Sequence, residues 1–454
     1  MPVIPLGHQS YDRPSGFQPE VRLVNLYMEK DESGASPDDW FRIQRPGLSP
    51  FAELPESIRG LFRSDGEKFD APVVASGGAL YLLTDPETPT PLGDIGDDGL
   101  PVALAISAFH VGIVSAGQLF LFDGTTLDAI DPPDTEDVVV DEWIDVEAIR
   151  SYFILPMQNG SFFWIEPGGS SIDPLNFATA ESSPDGLVGV RSLNDELFFF
   201  GVSSTEVWQA TGEADLPFAP ASGRTFDKGC MARDTIQPFD NSLLFVGNDG
   251  IVYRVGNVPE RVSTHGIEER LRKRTGQPSA FTFSFDAHTF YVLRIPGQGS
   301  FAYDASTRLW CEFASDGSTV FRPWVSSTIA SGTICGDSES GRIWLLDGDA
   351  ATDDGDPIER IATASIPVVG ASIRNDNFSI RVGCDEDCDI RLRWAEGRDE
   401  LPEDYELLPV RAPVDIAYLY RLGAATQPTR NFEVSIIDPA RVRISGASLN
   451  EGRP

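Results

Sequence analysis

The sequence predicts an all-β chain: a β-propeller of six or seven blades of uneven size, with a C-terminal antiparallel β-sandwich-like domain and an extended N-terminal arm. Three observations lead there. First, an apolar-aromatic strand followed by a turn recurs. It reads Ala79-Leu80-Tyr81-Leu82-Leu83, Gln118-Leu119-Phe120-Leu121-Phe122, Ser161-Phe162-Phe163-Trp164-Ile165, Glu196-Leu197-Phe198-Phe199-Phe200, Leu243-Leu244-Phe245-Val246, Phe290-Tyr291-Val292-Leu293 and Arg342-Ile343-Trp344-Leu345-Leu346. The copies lie roughly 36–52 residues apart, near the about 40–45 of one four-stranded blade. Second, Gly, Asp, Asn and Pro turns separate these strands, and helix signals are rare. Third, beyond about residue 358 the pattern becomes period-two alternation, as in Phe378-Ser379-Ile380-Arg381-Val382 and Ile390-Arg391-Leu392-Arg393-Trp394.

Taken in order, residues 1–50 have few strand signals and many turn formers, and read as an arm threading over a neighbour or across a domain face. Residues 51–350 hold the propeller repeat. Within them, residues 125–150, with Asp131-Pro132-Pro133-Asp134, read as a blade rim loop or a small insertion. The clearest helix is Ser263 to Arg274, with Ser263 or Thr264 as cap, acids early and bases late, ending at Gly276. Its basic cluster is read first as a solvated face and second as a docking surface for an acidic partner. Asp347 to Pro357 is a linker, and residues 358–454 form the sandwich-like domain.

Composition excludes several classes. Hydrophobic residues make up 41% and aromatics 10%, so the chain folds rather than staying disordered. No apolar run reaches the about 18 residues of a membrane span. The start, Met1-Pro2-Val3-Ile4-Pro5, has no signal-peptide pattern. Five Cys suit a reducing compartment. Cys384 and Cys388 form a lone CxxxC without the further ligands of a zinc site, and read as a hairpin tip. The formal charge is −35, and lysine occurs only at Lys30, Lys68, Lys228 and Lys273, so nearly all bases are Arg. Such a chain does not hold nucleic acid by neutralising phosphates. A saline habitat and an Arg-favouring GC-rich genome both account for this balance.

The motifs of common chemistry are missing. The sequence has no GxxxxGK[ST], HExxH or GxSxG. His8, His110, His265 and His288 are scattered, without metal or triad spacing. The turns Asp94-Ile95-Gly96-Asp97-Asp98-Gly99 and Asp353-Asp354-Gly355-Asp356 fail the EF-hand ligand rule and read as solvated turns. Asp337-Ser338-Glu339-Ser340-Gly341-Arg342-Ile343-Trp344 is close to the end of a sialidase-type Asp box, but Glu339 breaks it; a blade hairpin with a packed Trp344 is the simpler reading. No catalytic, cofactor-binding or metal residues are assigned, no cofactor is expected, and the residues of any DNA channel stay unassigned.

An ordered set of phrases adds a family resemblance. It comprises Val24-Asn25-Leu26-Tyr27-Met28-Glu29 with Pro46-Gly47-Leu48, Gly201-Val202-Ser203-Ser204-Thr205-Glu206-Val207-Trp208, Phe226-Asp227-Lys228-Gly229-Cys230-Met231-Ala232 and Val246-Gly247-Asn248-Asp249-Gly250. It continues with Ala280-Phe281-Thr282-Phe283, Phe290-Tyr291-Val292-Leu293 with Tyr303-Asp304-Ala305-Ser306-Thr307-Arg308-Leu309-Trp310, Tyr420-Arg421-Leu422-Gly423 and Asn431-Phe432-Glu433-Val434. Together these resemble the tail hub, or nozzle, proteins of short-tailed bacteriophages, also called packaged-DNA stabilisation proteins. The chain departs from them at Cys311-Glu312 and in its acidity.

The resemblance implies a structural virion protein rather than an enzyme. It implies a homo-hexameric ring in the tail, below the head–tail adaptor ring, assembled in the host cytoplasm. DNA passes its lumen without sequence-specific binding, for retention and ejection, and a tail needle, tailspike or tail fibre attaches. An alternative is a glycan-active propeller enzyme, a phage depolymerase-like hydrolase with two paired carboxylates. A third reading is a propeller scaffold that binds partners in a cell.

Overall fold

The aromatic repeat follows from strands that are buried on both faces. The computed structural model describes residues 3–11, 20–32, 39–63, 69–135, 138–180, 185–213, 216–370, 372–397, 399–426 and 428–450. Parts of the expected arm (1–2, 12–19 and 33–38), Lys68 and residues 451–454 lie outside the described residues.

Seven four-stranded antiparallel units follow one another. Blade 1 holds strands Ile58–Phe62, Val73–Ser76, Ala79–Leu82 and Thr90–Asp94. Blade 2 holds Ala103–Ile106, Val111–Ser115, Gln118–Phe122 and Leu127–Ile130; blade 3 holds Glu147–Ile149, Tyr152–Pro156, Ser161–Ile165 and Phe177–Thr179. Blade 4 holds Leu187–Leu193, Glu196–Gly201, Thr205–Ala210 and Phe218–Phe226; blade 5 holds Gln237–Pro238, Leu243–Val246, Val252–Val255 and Glu260–Arg261. Blade 6 holds Ser279–Phe285, His288–Ile295, Gly299–Asp304 and Trp310–Phe313. Blade 7 takes Pro323–Ile329, Gly332–Asp337 and Arg342–Asp347, and its outer strand is Gly47–Glu53 from the N-terminal side. The count is therefore seven, within the expected six or seven. The first strands of blades 7 and 1 are in contact, which closes the ring.

Each interface between blades buries its own apolar cluster. Phe198 and Phe200 face blade 5, where they meet Leu243 and Phe245. Phe199, between them, faces blade 3 and packs on Phe162, Trp164 and Trp208. Alternate side chains of one strand thus enter two cores, and the strand reads as an unbroken apolar run. Many first hairpins turn in two residues with both φ positive, as at Asn194 (50°) and Asp195 (64°), or Asp286 (48°) and Ala287 (63°). That turn matches the twist of the paired strands.

The segment 125–150 supplies the outer strand of blade 2, then a connection in which Trp143 bridges to Met157, then the first strand of blade 3. The one α-helix among the described residues is His265–Arg272, between blades 5 and 6. Thr264 caps it by accepting from the Ile267 amide at 3.4 Å, and Ser263 Oγ donates to Glu268 at 2.9 Å.

After blade 7 a tight hairpin, Thr352–Asp353 and Asp356–Pro357, leads into a two-sheet sandwich. One sheet pairs Arg360–Pro367, Thr429–Ile436, Cys388–Glu396 and Glu406–Val410. The other pairs Ser372–Cys384, Val414–Thr426 and Val442–Leu449, and it continues into the N-terminal strands Trp40–Gln44 and Leu26–Lys30. Phe378 and Phe432 stack across the gap between the sheets, ring centroids 5.7 Å apart. The N-terminal arm crosses domain faces as a series of short strands. Val24 pairs with Glu312 of blade 6 on one side and Ile361 of the sandwich on the other. One apolar cluster accordingly runs from the blade 6–7 interface into the sandwich.

Arg45 fastens this seam. Its side chain is fully buried, and all five guanidinium N–H groups find acceptors. They are Asn25 Oδ1 at 2.8 Å, the carbonyls of Pro46 and Ala314 at 2.9 Å each, and both Asp353 oxygens at 2.9 and 2.6 Å. Arg45→Met leaves the Asp353 charge buried without a partner, and removing one member of such a pair costs about 3–5 kcal/mol. Denaturant unfolding should show that loss for R45M, and R45M/D353L should regain most of it.

Candidate functional site

The first strands of all seven blades surround a cavity of about 510 Å³ on the propeller axis. Its wall includes Gly60–Phe62, Ala103–Ile106, Glu147, Arg191, Gln237, Ala280–Thr282 and Trp324–Thr328. Where these strands begin, the axis is bridged. Arg233, in the short turn Arg233–Thr235 ahead of blade 5, reaches across to the connections that precede blades 2 and 3. Its guanidinium donates to the Ile144 carbonyl at 3.0 Å and to the Pro101 carbonyl, while Nε holds Asp234 at 2.8 Å. Arg59, from blade 1, is fixed beside it by the carbonyls of Leu100 (2.8 Å), Gly77 (3.0 Å) and Gly96 (2.8 Å) and by Asp97 and Asp98. Where the strands end, a second cavity of about 500 Å³ shares Pro238, Thr282 and Thr328 with the first. The axis is thus a blind funnel.

Charges gather at its closed end. Asp145, fully buried, accepts from the Val146 and Val190 amides at 3.0 Å each and from Arg191 at 2.6 Å. Glu147 accepts through one oxygen from the Ala148 amide and from Ser192 Oγ, both at 3.0 Å. Burial, helped by the Asp145 charge, pushes the Glu147 carboxyl up to about 7 against the attraction of Arg191. Burial disfavours the charged forms of Arg191 and Arg233, but Asp145 and Glu147 around the first, and Asp234 and Asp145 around the second, outweigh it.

The residues singled out from sequence fall elsewhere. Asp97 and Asp98 pair with Arg59, Asp353 with Arg45 and Asp354 with Arg342, so the acidic turns serve as counter-ions. Asp337 pairs with Arg322 and holds Ser340, and Trp344 is buried beside them under the Arg322 guanidinium. His288 is buried; burial alone would lower its pKa, but the Asp304 hydrogen bond at 2.9 Å raises it. Asp304 also holds Ser306 and Thr307 at 2.7 Å each, which accounts for the Asp-x-Ser-Thr turn ahead of Trp310. His265 is half exposed beside Glu268. The His8 ring lies 5.8 Å from that of Trp40, tilted by 39°, and burial and Arg42 lower its pKa. Cys384 and Cys388 are buried at the crossing between the sandwich sheets. On the helix, Arg272 and Lys273 share Glu269, and Arg270 reaches Glu20.

Sequence reading missed Asp145, Glu147, Arg191 and Arg233. Their signal is faint: charged residues about one blade repeat apart, in or just ahead of first strands. The Glu147 shift has a measurable sign. Its carboxyl is neutral in both folded and unfolded chains below about pH 4, so it then exacts no penalty. As pH rises through about 7 it must ionise in place, and the stability tied to its proton is lost. His288, also raised, loses its contribution as pH rises through its folded value. The thermal midpoint of the wild type should therefore fall between about pH 5 and 8, and Glu147→Gln should fall less over the same range; identical curves would remove the assignment.

Comparison with known proteins gives the family. The tail hub protein gp10 of Salmonella phage P22 is 24% identical over 296 residues, which span 59% of this chain and 60% of that protein. Among solved structures, YCF48 from Cyanidioschyzon merolae is 14% identical with a TM-score of 0.45, over 66% of this chain and 99% of that one. The WD40 β-propeller domain of Doa1 is 10% identical with a TM-score of 0.42, over 66% of this chain and 98% of that one. The family model described as bacteriophage P22 Gp10, β-propeller, matches residues 5–351, and the chain belongs to that family.

Proposed function

We propose that the chain is a structural subunit of the tail of a short-tailed bacteriophage. It forms the tail hub ring, six copies below the head–tail adaptor ring, and carries the needle, tailspike or fibre attachment. The observation that carries this reading is the family match over residues 5–351, supported by the kinship with the P22 tail hub protein. No observation favours the hydrolase alternative.

The geometry bears on where DNA runs in such a ring. The major groove of B-form DNA alone is about 12 Å wide. The axial cavity of about 510 Å³, bridged by Arg233, has no room for a duplex. In this reading the duplex therefore runs between copies, through a lumen that the ring encloses. With a formal charge of −35 per chain, such a lumen repels phosphate instead of gripping it. Screening limits the effect to about 8 Å at physiological salt, so only acids at the lumen surface contribute.

Native mass spectrometry of the purified chain with its adaptor ring should give a closed ring of six copies. Immunolabelling should place the chain at virion tails, and the free chain should retain no duplex at physiological salt. Absence from virion tails would sink the structural reading, and tight duplex retention by the free chain would sink the account of the lumen.

A further inference from the structure

Around Glu147, at the closed end of the propeller axis, two carboxylates are each held by a guanidinium and a third is not. Asp145 pairs with Arg191 at 2.6 Å and Asp234 with Arg233 at 2.6 Å. Glu147 is the odd member, and no ion pair within 4.0 Å reaches it among the described residues. Only one of its oxygens accepts hydrogen bonds; the second has no donor among the described residues. Gln237, on the first strand of blade 5, spends its amide N–H groups on the carbonyls of Asp234 (3.3 Å) and Ala280 (2.8 Å). Its Oε1 also has no donor among the described residues. Both side chains line the same cavity, which is open at the other end through the second cavity.

We propose that the axial cavity binds a small primary ammonium ion against the Glu147 carboxylate. One positive charge balances the odd carboxylate. Three N–H donors suit oxygens that lack donors. A divalent metal would ask for six or more oxygen ligands and several carboxylates, whereas both aspartates here are already committed to arginines. Leu104, Ile106 and Trp324 supply apolar wall for a short alkyl stem. At acid pH the step is an exchange: the ammonium enters, the Glu147 carboxyl releases its proton to solvent, and the charge of the cluster is unchanged.

The groups that face Glu147 are few. Asp145 is two residues away on its own segment, Arg191 comes from blade 4, and Arg233 and Asp234 come from the turn before blade 5, with Asp98 beyond Arg233. The first strand of blade 2, Ala103–Ile106, contributes no titratable side chain. Glu147 holds its proton up to about 7, so the competent, ionised fraction sets the apparent affinity. This site is independent of the tail reading, and either stands without the other.

The test is calorimetric titration of the full chain with methylammonium chloride, and with tetramethylammonium chloride at equal ionic strength, at pH 5 and pH 8. Methylammonium should bind at pH 8, weaken about a hundredfold at pH 5, and release protons to buffer near pH 6. Tetramethylammonium, which has no N–H, should not bind. Glu147→Gln should abolish methylammonium binding and Glu147→Asp should weaken it, with circular dichroism confirming that each variant folds. Should either variant fail to fold, the wild-type pH and ion comparisons still decide. Absent binding, equal binding of the two ions, no change with pH, or binding that survives in E147Q overturns the proposal.

Discussion

The fully buried Arg45 guanidinium joins three parts of the chain that are far apart in sequence. A guanidinium out of water is tolerable only when every N–H has an acceptor and the charge has a partner. Asn25, Pro46, Ala314 and Asp353 meet that demand together. Asn25 sits at φ 54°, a left-handed conformation that Asn adopts more readily than most residues. There its Oδ1 reaches both Arg45 and the Ala314 amide, while its Nδ2 donates to the Glu359 carbonyl. The strand that closes blade 7 begins two residues after Arg45, so ring closure and the seam to the sandwich share one anchor. At Gly341 a Cβ would collide with the Leu54 carbonyl, which shows how closely the closing segment is drawn onto the blade.

The closed ring explains the character of the axis. Seven wedge-like sheets meeting at their first strands leave only a narrow cavity, and Arg233 spans its end because the carbonyls of Pro101 and Ile144 converge there. That arrangement fits a rigid wall better than a conduit. It also creates a site closed at one end where charge is costly, so the odd carboxylate, Glu147, keeps its proton to about 7 while the paired aspartates hold arginines.

The fold was more legible than the site. Phe198-Phe199-Phe200 declares a strand buried on both faces, because each blade face packs on a neighbour. Acids in turns, by contrast, have the composition of ion-binding loops, yet Asp97, Asp98, Asp353 and Asp354 are counter-ions of Arg59, Arg45 and Arg342. Nothing local marks that use, since the partners lie 12 to 308 residues away. Arg150-Ser151 is a similar case. Neither residue signals a left-handed two-residue turn, yet they adopt φ 49° and 68° because the strands of blade 3 require it.

By itself the sequence determined the strand repeat, the class of fold and the lack of a nucleotide or metalloprotease motif, because these are written in short-range periodicity and spacing. Only the tertiary structure decided that the blades number seven, that residues 47–53 complete the last of them, and that Asp145, Glu147, Arg191 and Arg233 share one end of the axis. The reason is physical. Burial on two faces leaves a local mark in every strand, whereas ring closure and charge pairing depend on contacts between segments that meet only once the circle is complete.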